Sequence, residues 1–132
     1  SRGLGDVYKR QELSLHGLFK KTVTPETEWI EAIGILLDNA IEASPKGSTI
    51  FLSSKKQEGF LELTVSNPAP PLSNTEFMAL FGKGVTTKAS RDGHGFGLYN
   101  ILRMTERYHG KILTRNESIL NENYVVFGIL MP

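Results

Sequence analysis

Three features that this sequence lacks narrow its class before any motif is considered. There is no cysteine, which excludes a disulfide framework and any metal site built from thiolates, and is compatible with a reducing compartment. Neither sign of charge dominates, because the 15 Lys and Arg residues nearly balance the 14 Asp and Glu residues and give a net charge of +1. Nucleic-acid binding usually needs a basic surplus, so we expect no DNA or RNA partner. The apolar runs are far shorter than the ~20 residues that cross a bilayer, so we expect a soluble chain.

What is present is typical of one globular domain. Hydrophobic residues make up 39% and charged residues 22% of the 132 positions, which excludes disorder and fibrous classes and leaves room for a single core. Residues 1–11, SRGLGDVYKRQ, fit no pattern that follows them and resemble a translated cloning adaptor. We therefore expect the folded domain to occupy residues 12–132.

The first predicted elements are a strand and a long helix. Partial alternation of leucines predicts a short strand over 12–20. Thr24 is the expected N-cap, with Pro25 in the first helical position and Glu26 in the first turn. The helix then carries apolar residues at helical spacing until the breaker residues 44–47 end it. That stripe consists of Trp29, Ala32, Ile33, Leu36, Ala40 and Ala43.

The rest of the chain predicts two hairpins and two further helices. The hairpins are expected from strands 49–55 and 60–66 and from strands 111–116 and 124–131. Ser73 or Asn74 is expected to cap a short helix, and another helix is expected over 97–108 with Gly110 as its end. Together these elements predict an α+β fold: a two-layer sandwich with a mixed sheet of about five strands and the helices on one face.

Residues 82–95 have glycines and threonines but almost no apolar periodicity. We expect a mobile loop there and call it the lid. Phe77 and Phe81 precede it and are expected to anchor its base against the core. Thr86, Thr87, Lys88 and Arg91 lie inside it and offer hydroxyls and positive charge suited to a polyphosphate; a solvated loop with scattered charge is the alternative.

Asn39 lies at the border of the stripe on the long helix. At about 100° per residue its side chain is about 80° from the middle of the stripe, where it can face a cleft beside the helix. An amide oxygen is a hard, neutral ligand that suits Mg²⁺. The alternative is an edge asparagine with a local hydrogen bond, and its position alone leaves both open.

The run Gly93-His94-Gly95-Phe96-Gly97 opens directly into the predicted third helix. Alternate glycines let a backbone approach phosphate groups closely, and a helix N-terminus offers free N–H groups and partial positive charge. The spacing is neither that of a dinucleotide fold nor that of a P-loop. A phosphate-binding segment and a plain flexible hinge both fit the run. His94 and His109 lack a neighbouring acid or nucleophile, so we assign neither a catalytic role.

The order of these segments resembles a known family. Four segments occur in the order of the N, G1, F and G2 boxes of the GHKL ATPases. They are Asn39 in LLDNAIEA, Asn67, residues 81–88 and residues 93–98. Within that family the chain is most similar to the ATP-binding catalytic domain of sensor histidine kinases, over roughly 12–132. Residues 34–44 and the GLYN sequence resemble the Agr and Com type of quorum-sensing peptide receptors.

The resemblance implies that ATP lies between the helices and the lid, with Mg²⁺ held by Asn39. The implied nucleotide-binding residues are Asn39, Asn67, Thr86, Thr87, Lys88, Arg91, Gly93, His94, Gly95, Phe96, Gly97 and Leu98. No catalytic residue is expected in this chain itself.

Four positions depart from the family pattern. Asn67 stands where the family usually has an Asp that accepts a hydrogen bond from the adenine amine; an amide oxygen still accepts that bond if it is oriented correctly. Pro68 and Pro70 replace the G1 glycines. Ile35 stands where hydrolysing members have a glutamate that activates water, and an isoleucine is no general base.

The resemblance also implies partners outside this chain. The phosphoacceptor is expected to be a histidine on a separate dimerisation domain N-terminal to it, since His16, His94 and His109 lie in no long helical pattern. A response regulator is expected downstream, and the whole protein is expected to be a membrane-bound homodimer of a bacterium with this domain in the cytoplasm. Two alternatives remain: a degenerate, non-catalytic GHKL interaction module and a serine kinase of the anti-sigma type.

Overall fold

A computed structural model describes residues 22–82 and 97–132 of the chain. These residues form three helices and four strands. In chain order they are α1 (Glu26–Ala43), β1 (Phe51–Gln57), β2 (Phe60–Pro68), α2 (Asn74–Ala79), α3 (Gly97–Arg107), β3 (Lys111–Ile119) and β4 (Glu122–Met131). None of the helices in these two ranges has the length and apolar character needed to cross a membrane.

The four strands form one antiparallel sheet in the order β1-β2-β4-β3. Both predicted hairpins are confirmed, and β2 pairs with β4 to join them. The α+β class is confirmed as well. The sheet differs from the expectation in two ways: the described strands number four rather than about five, and each pairing among them is antiparallel rather than mixed. The fifth predicted strand, over 12–20, lies outside the described residues.

Helix α1 follows the predicted apolar stripe. Its buried residues recur at helical spacing and face the sheet, and they are Trp29, Ala32, Ile33, Leu36, Leu37 and Ala40. The predicted N-cap is wrong, because Pro25 holds the cap position without a side-chain hydrogen bond. The Thr24 hydroxyl instead donates to the carbonyl of Pro132 at 3.2 Å. Thr24 therefore ties the start of α1 to the end of β4.

The core lies between the helices and one face of the sheet. In the register, Leu61, Leu63 and Val65 of β2 stand beside Met131, Ile129 and Phe127 of β4. All six are buried and belong to the same cluster as the α1 stripe. Side chains alternate between the two faces of a strand, so these rows define the helix side of the sheet.

Two phenylalanines anchor the segment that precedes the lid, as predicted. Phe77 in α2 and Phe81 just after it are buried, at 1% and 3% exposure. Their rings lie 5.5 and 6.0 Å from the ring of Phe127 on β4. The base of the lid is therefore fixed to the core, although most of the lid lies outside the described residues.

Helix α2 is capped as the sequence indicates. Of the two candidates it is Ser73 that caps it, accepting a hydrogen bond from the Glu76 N–H, while its own N–H donates to the Glu76 carboxylate at 2.8 Å. This reciprocal pair is a capping box, which satisfies two otherwise free N–H groups. The backbone hydrogen bond from Ser73, with the bond from its side chain, lowers the pKa of Glu76 below its usual range.

Helix α3 ends close to the predicted position, in a turn where His109, and not Gly110, adopts a positive φ of 61°. The Gly110 N–H donates to the Thr105 carbonyl at 2.7 Å. A Cβ at this position would lie 2.7 Å from the Leu130 carbonyl oxygen and would overlap the Met131 sulfur. Only glycine fits this contact without a shift of β4.

Candidate functional site

Four of the twelve predicted nucleotide-binding residues belong to the described part of the chain: Asn39, Asn67, Gly97 and Leu98. The other eight lie outside it. They are Thr86, Thr87, Lys88, Arg91, Gly93, His94, Gly95 and Phe96.

Asn39 and the start of α3 are brought together through Ile35. Asn39 is half-buried near the end of α1, and Ile35 lies one turn before it on the same face. A Cβ built on Gly97 would lie 3.0 Å from Cγ2 of Ile35. The first residue of α3 is therefore in contact with the α1 face that carries Asn39.

The N-terminus of α3 is fixed in this position by its second residue. Leu98 is 7% exposed and packs into the core. The first turn of α3 contains no acidic residue, and the first N–H groups of any helix have no partner within it. Leu98 thus has a structural role: its burial in the core fixes the start of α3 beside α1.

Asn67 occupies the buried end of β2 on the helix side of the sheet. It is 1% exposed and stands beside Val125 of β4. Its Nδ2 donates to the Pro68 carbonyl at 3.3 Å. Its Oδ1 is the single buried side-chain polar atom that lacks a hydrogen-bond partner within residues 22–82 and 97–132.

An unpaired buried acceptor is costly, by about 1–3 kcal/mol. Buried polar atoms are therefore nearly always paired, and an exception needs an explanation. Because Nδ2 is already engaged by Pro68, the amide is oriented with its oxygen free. A ligand with an N–H group at this point supplies the missing donor, and the adenine amine is such a group.

The donor set at Asn39 fits a magnesium ion that arrives with its nucleotide. Within the described ranges, no three His, Cys, Asp or Glu residues are grouped so that they could hold a metal. Mg²⁺ commonly takes one or two protein oxygens and completes its shell with phosphate oxygens and water. One amide oxygen on the face of α1 nearest to α3 matches that requirement.

A cleft lies between α1 and α3, but Asn39, which the sequence predicted to face a cleft beside the helix, is not among its lining residues. It has a volume of about 230 Å³, and its walls include Glu28, Glu31, Ile35, Asn100 and Arg103. The Arg107 guanidinium donates to the Glu28 carboxylate at 3.1 Å across it. These two residues are 79 positions apart, so no local pattern could have indicated their contact.

Comparison with known proteins gives a family and a fold. A model of the GHKL domain matches residues 27–132. The chain is 32% identical to the sensor histidine kinase CitA of Klebsiella pneumoniae, in a match that covers 96% of this chain and 24% of CitA. It spans about a quarter or less of the length of such curated relatives.

Two solved structures have a similar fold at low sequence identity. The catalytic domain of histidine kinase ThkA, in a nucleotide-free form, superposes with a TM-score of 0.68 at 22% identity, covering 96% of this chain and 91% of that one. Full-length ShkA in complex with AMPPNP gives a TM-score of 0.60 at 18% identity, covering 77% of this chain and 20% of that one. At this identity the likeness shows the fold alone.

Proposed function

The chain belongs to the GHKL domain family, and from that premise we propose that it is the ATP-binding catalytic domain of a sensor histidine kinase. Its relative CitA carries the name of such a kinase. In this role the chain binds Mg·ATP and presents the γ-phosphoryl group to a histidine on a separate dimerisation domain.

The observation that carries this proposal is the free Oδ1 of Asn67. It is buried, has no partner, and is oriented by the hydrogen bond from Nδ2 to Pro68. An adenine amine satisfies it with a neutral hydrogen bond. Asn67 thereby does what the family's aspartate does, without its charge.

The phosphate end of the proposed site lies at the junction of α1 and α3. Asn39 is proposed to hold Mg²⁺, which neutralises phosphate charge when bound. The N–H groups at the start of α3 suit phosphate oxygens. The remaining proposed contacts come from residues outside the described ranges, namely Thr86, Thr87, Lys88, Arg91, Gly93, His94, Gly95 and Phe96.

The side chain one turn before Asn39 favours transfer over hydrolysis. Ile35 takes no proton from water, and it packs against Gly97 at the place where a base would act. In the proposed transfer the bond from γ-phosphorus to the bridging oxygen breaks, a bond to the histidine nitrogen forms, and ADP leaves. This chain contributes positioning and charge stabilisation, which are the main requirements of phosphoryl transfer.

The wider setting is part of the same proposal. The acceptor domain precedes this one in a membrane-bound homodimer, this domain lies in the cytoplasm, and the phosphoryl group passes on to a response regulator. Quorum sensing through a peptide signal is proposed from the resemblance of residues 34–44 to the Agr and Com type of receptor.

Phosphotransfer with labelled ATP tests the proposal. The chain is mixed with a histidine-bearing dimerisation domain, and Asn39→Ala serves as the matched control. We expect label on histidine, stable in alkali and lost in acid, with the wild type and far less with the variant. Label on serine instead identifies the anti-sigma type of kinase. Nucleotide binding without any label contradicts the proposal.

A non-catalytic interaction module is the second candidate. The departures from the family pattern favour it. Asn67 stands in place of a charged residue, and Pro68 and Pro70 stand in place of glycines. Millimolar Mg·ATP separates the two candidates, because a ligand that binds the native state raises the melting temperature. No rise in the wild type favours the module.

A further inference from the structure

Two asparagines of the second hairpin hold the proline-rich segment that follows Asn67. Asn116 of β3 makes two hydrogen bonds to the backbone of Leu72: its Nδ2 donates to the Leu72 carbonyl at 2.8 Å, and its Oδ1 accepts from the Leu72 N–H at 3.0 Å. Asn123 of β4 donates from Nδ2 to the Ala69 carbonyl at 2.8 Å. The Ala69 N–H in turn donates to the Asn123 carbonyl at 3.1 Å. Residues 69 and 72 are thus bonded on both their donor and acceptor sides.

These contacts lead directly to Asn67. In the sheet register Asn67 and Asn116 both stand beside Val125, one on each side of β4. Paired residues place their side chains on the same face, so both amides lie on the helix side. The segment 68–72 runs from β2 past Asn123 of β4 to Asn116 of β3.

Proline content makes the segment depend on these side chains. Pro68, Pro70 and Pro71 have no N–H group, so within 68–72 only Ala69 and Leu72 can donate from the backbone. Ala69 donates to the Asn123 carbonyl next to the pairing of Pro68 with Tyr124, whereas Leu72 donates to the Asn116 side chain. Pro68 is also the residue whose carbonyl orients the Asn67 amide. Without the side chains of Asn116 and Asn123, the segment keeps the backbone bond from Ala69 to Asn123 but loses the bonds at Leu72 and at the Ala69 carbonyl, so the Pro68 carbonyl is held less firmly.

We propose that Asn116 and Asn123 are positioning residues: they hold residues 68–72 against the sheet and so keep the Asn67 amide turned with its oxygen toward the nucleotide base. This inference rests on the function proposed above. It makes the two asparagines determinants of base selectivity, although neither is proposed to touch the nucleotide. An Asn67 amide free to rotate presents either its oxygen or its NH₂ group.

The probes are Mg·ATP, Mg·ITP and Mg·tripolyphosphate. Adenine offers an amine that requires the Asn67 oxygen, hypoxanthine offers a carbonyl that requires the NH₂ group, and tripolyphosphate has no base. Dissociation constants are measured for the wild type, Asn116→Ala and the double variant Asn116→Ala/Asn123→Ala. Arg115→Ala is the matched control. Arg115 is the residue next to Asn116 but lies on the other face of β3, and its substitution removes only an exposed ion pair with Glu117.

In the double variant we expect the preference for ATP over ITP to fall about fivefold, the equivalent of one neutral hydrogen bond. Tripolyphosphate affinity is expected to stay within about twofold, and the control to match the wild type. Asn116→Ala alone is expected to show a smaller change in the same direction. This exposed substitution remains a valid test if the double variant fails to fold.

An unchanged ratio of ATP to ITP affinity overturns the inference, whether all three ligands weaken together or none does. A wild type that binds no Mg·ATP refutes the proposed function, and with it this inference. A wild type that prefers ATP, with variants that keep that preference, refutes the positioning role alone.

Discussion

Replacing Asn67 by leucine is expected to leave the free protein at least as stable while lowering its affinity for ATP. Leucine keeps the branch at the γ carbon and replaces both polar atoms by methyl groups. The substitution removes the unpaired Oδ1, which costs about 1–3 kcal/mol, and gives up the bond from Nδ2 to Pro68, worth about 1 kcal/mol. The free energy of unfolding is therefore expected to be unchanged or higher by up to about 2 kcal/mol.

Urea unfolding with and without Mg·ATP measures both effects. A ligand at 100 times its dissociation constant adds about 2.7 kcal/mol to the free energy of unfolding. We expect that increment in the wild type and an increment smaller by about 1–2 kcal/mol in Asn67→Leu. Thr64→Val is the matched control, because Thr64 is also buried on β2 but its hydroxyl is paired with Ser53 at 2.8 Å.

The control is expected to lose about 1 kcal/mol of stability and to keep the ATP increment. Two results would refute the reasoning on Asn67. The first is a loss of more than about 2 kcal/mol in nucleotide-free Asn67→Leu, since this means that Oδ1 has a partner in the free protein. The second is an ATP increment equal to that of the wild type.

Three further outcomes are expected. Asn39→Ala lowers the Mg-dependent part of ATP affinity in calorimetry and leaves the circular dichroism spectrum unchanged; unfolding, or unchanged affinity, contradicts a metal role. Gly110→Ala lowers the free energy of unfolding by about 1–3 kcal/mol, because its Cβ meets the Leu130 carbonyl. Ser73→Ala costs about 1 kcal/mol. The lowered pKa of Glu76 adds stability above its unfolded-state pKa that is lost as pH falls through the folded-state value. The Ser73 backbone N–H, the larger cause of the lowered pKa, remains in Ser73→Ala, so acid titration of this variant should show a smaller step.

Local patterns were sufficient for the elements whose causes are local. Helix α1 was predictable because its apolar residues recur every three or four positions, and α2 because Ser73 and Glu76 are spaced as a capping box. The role of Thr24 was not predictable. Its hydroxyl partner, Pro132, lies 108 residues away.

Strand ends were predicted less well, for physical reasons. Strand β2 continues through Pro68 because its pairing with β1 ends at Ser66. Beyond that point β2 has a neighbour on one side only, so the N–H that proline lacks is not needed there. The turn between β3 and β4 lies at Leu120 and Asn121, both with positive φ. Leucine rarely adopts that conformation, so the predicted strands left residues 117–123 as a loop, whereas the two strands extend to this tight turn.

The candidate site was predictable in its residues but not in its geometry. The order of motifs indicated Asn39 and Asn67, whereas the orientation of the Asn67 amide depends on the Pro68 carbonyl. The contacts of Asn116 with Leu72 cross 44 residues of chain. An exposed asparagine in a strand carries no signal of such a partner.

An NMR titration of the labelled protein with Mg·ATP tests most directly whether one nucleotide joins both ends of the site. The side-chain amide signals of Asn39 and Asn67 and the backbone signal of Gly97 are expected to shift together, with one common dissociation constant. Shifts at only one of the two asparagines, or at neither, would contradict a shared site for Mg·ATP.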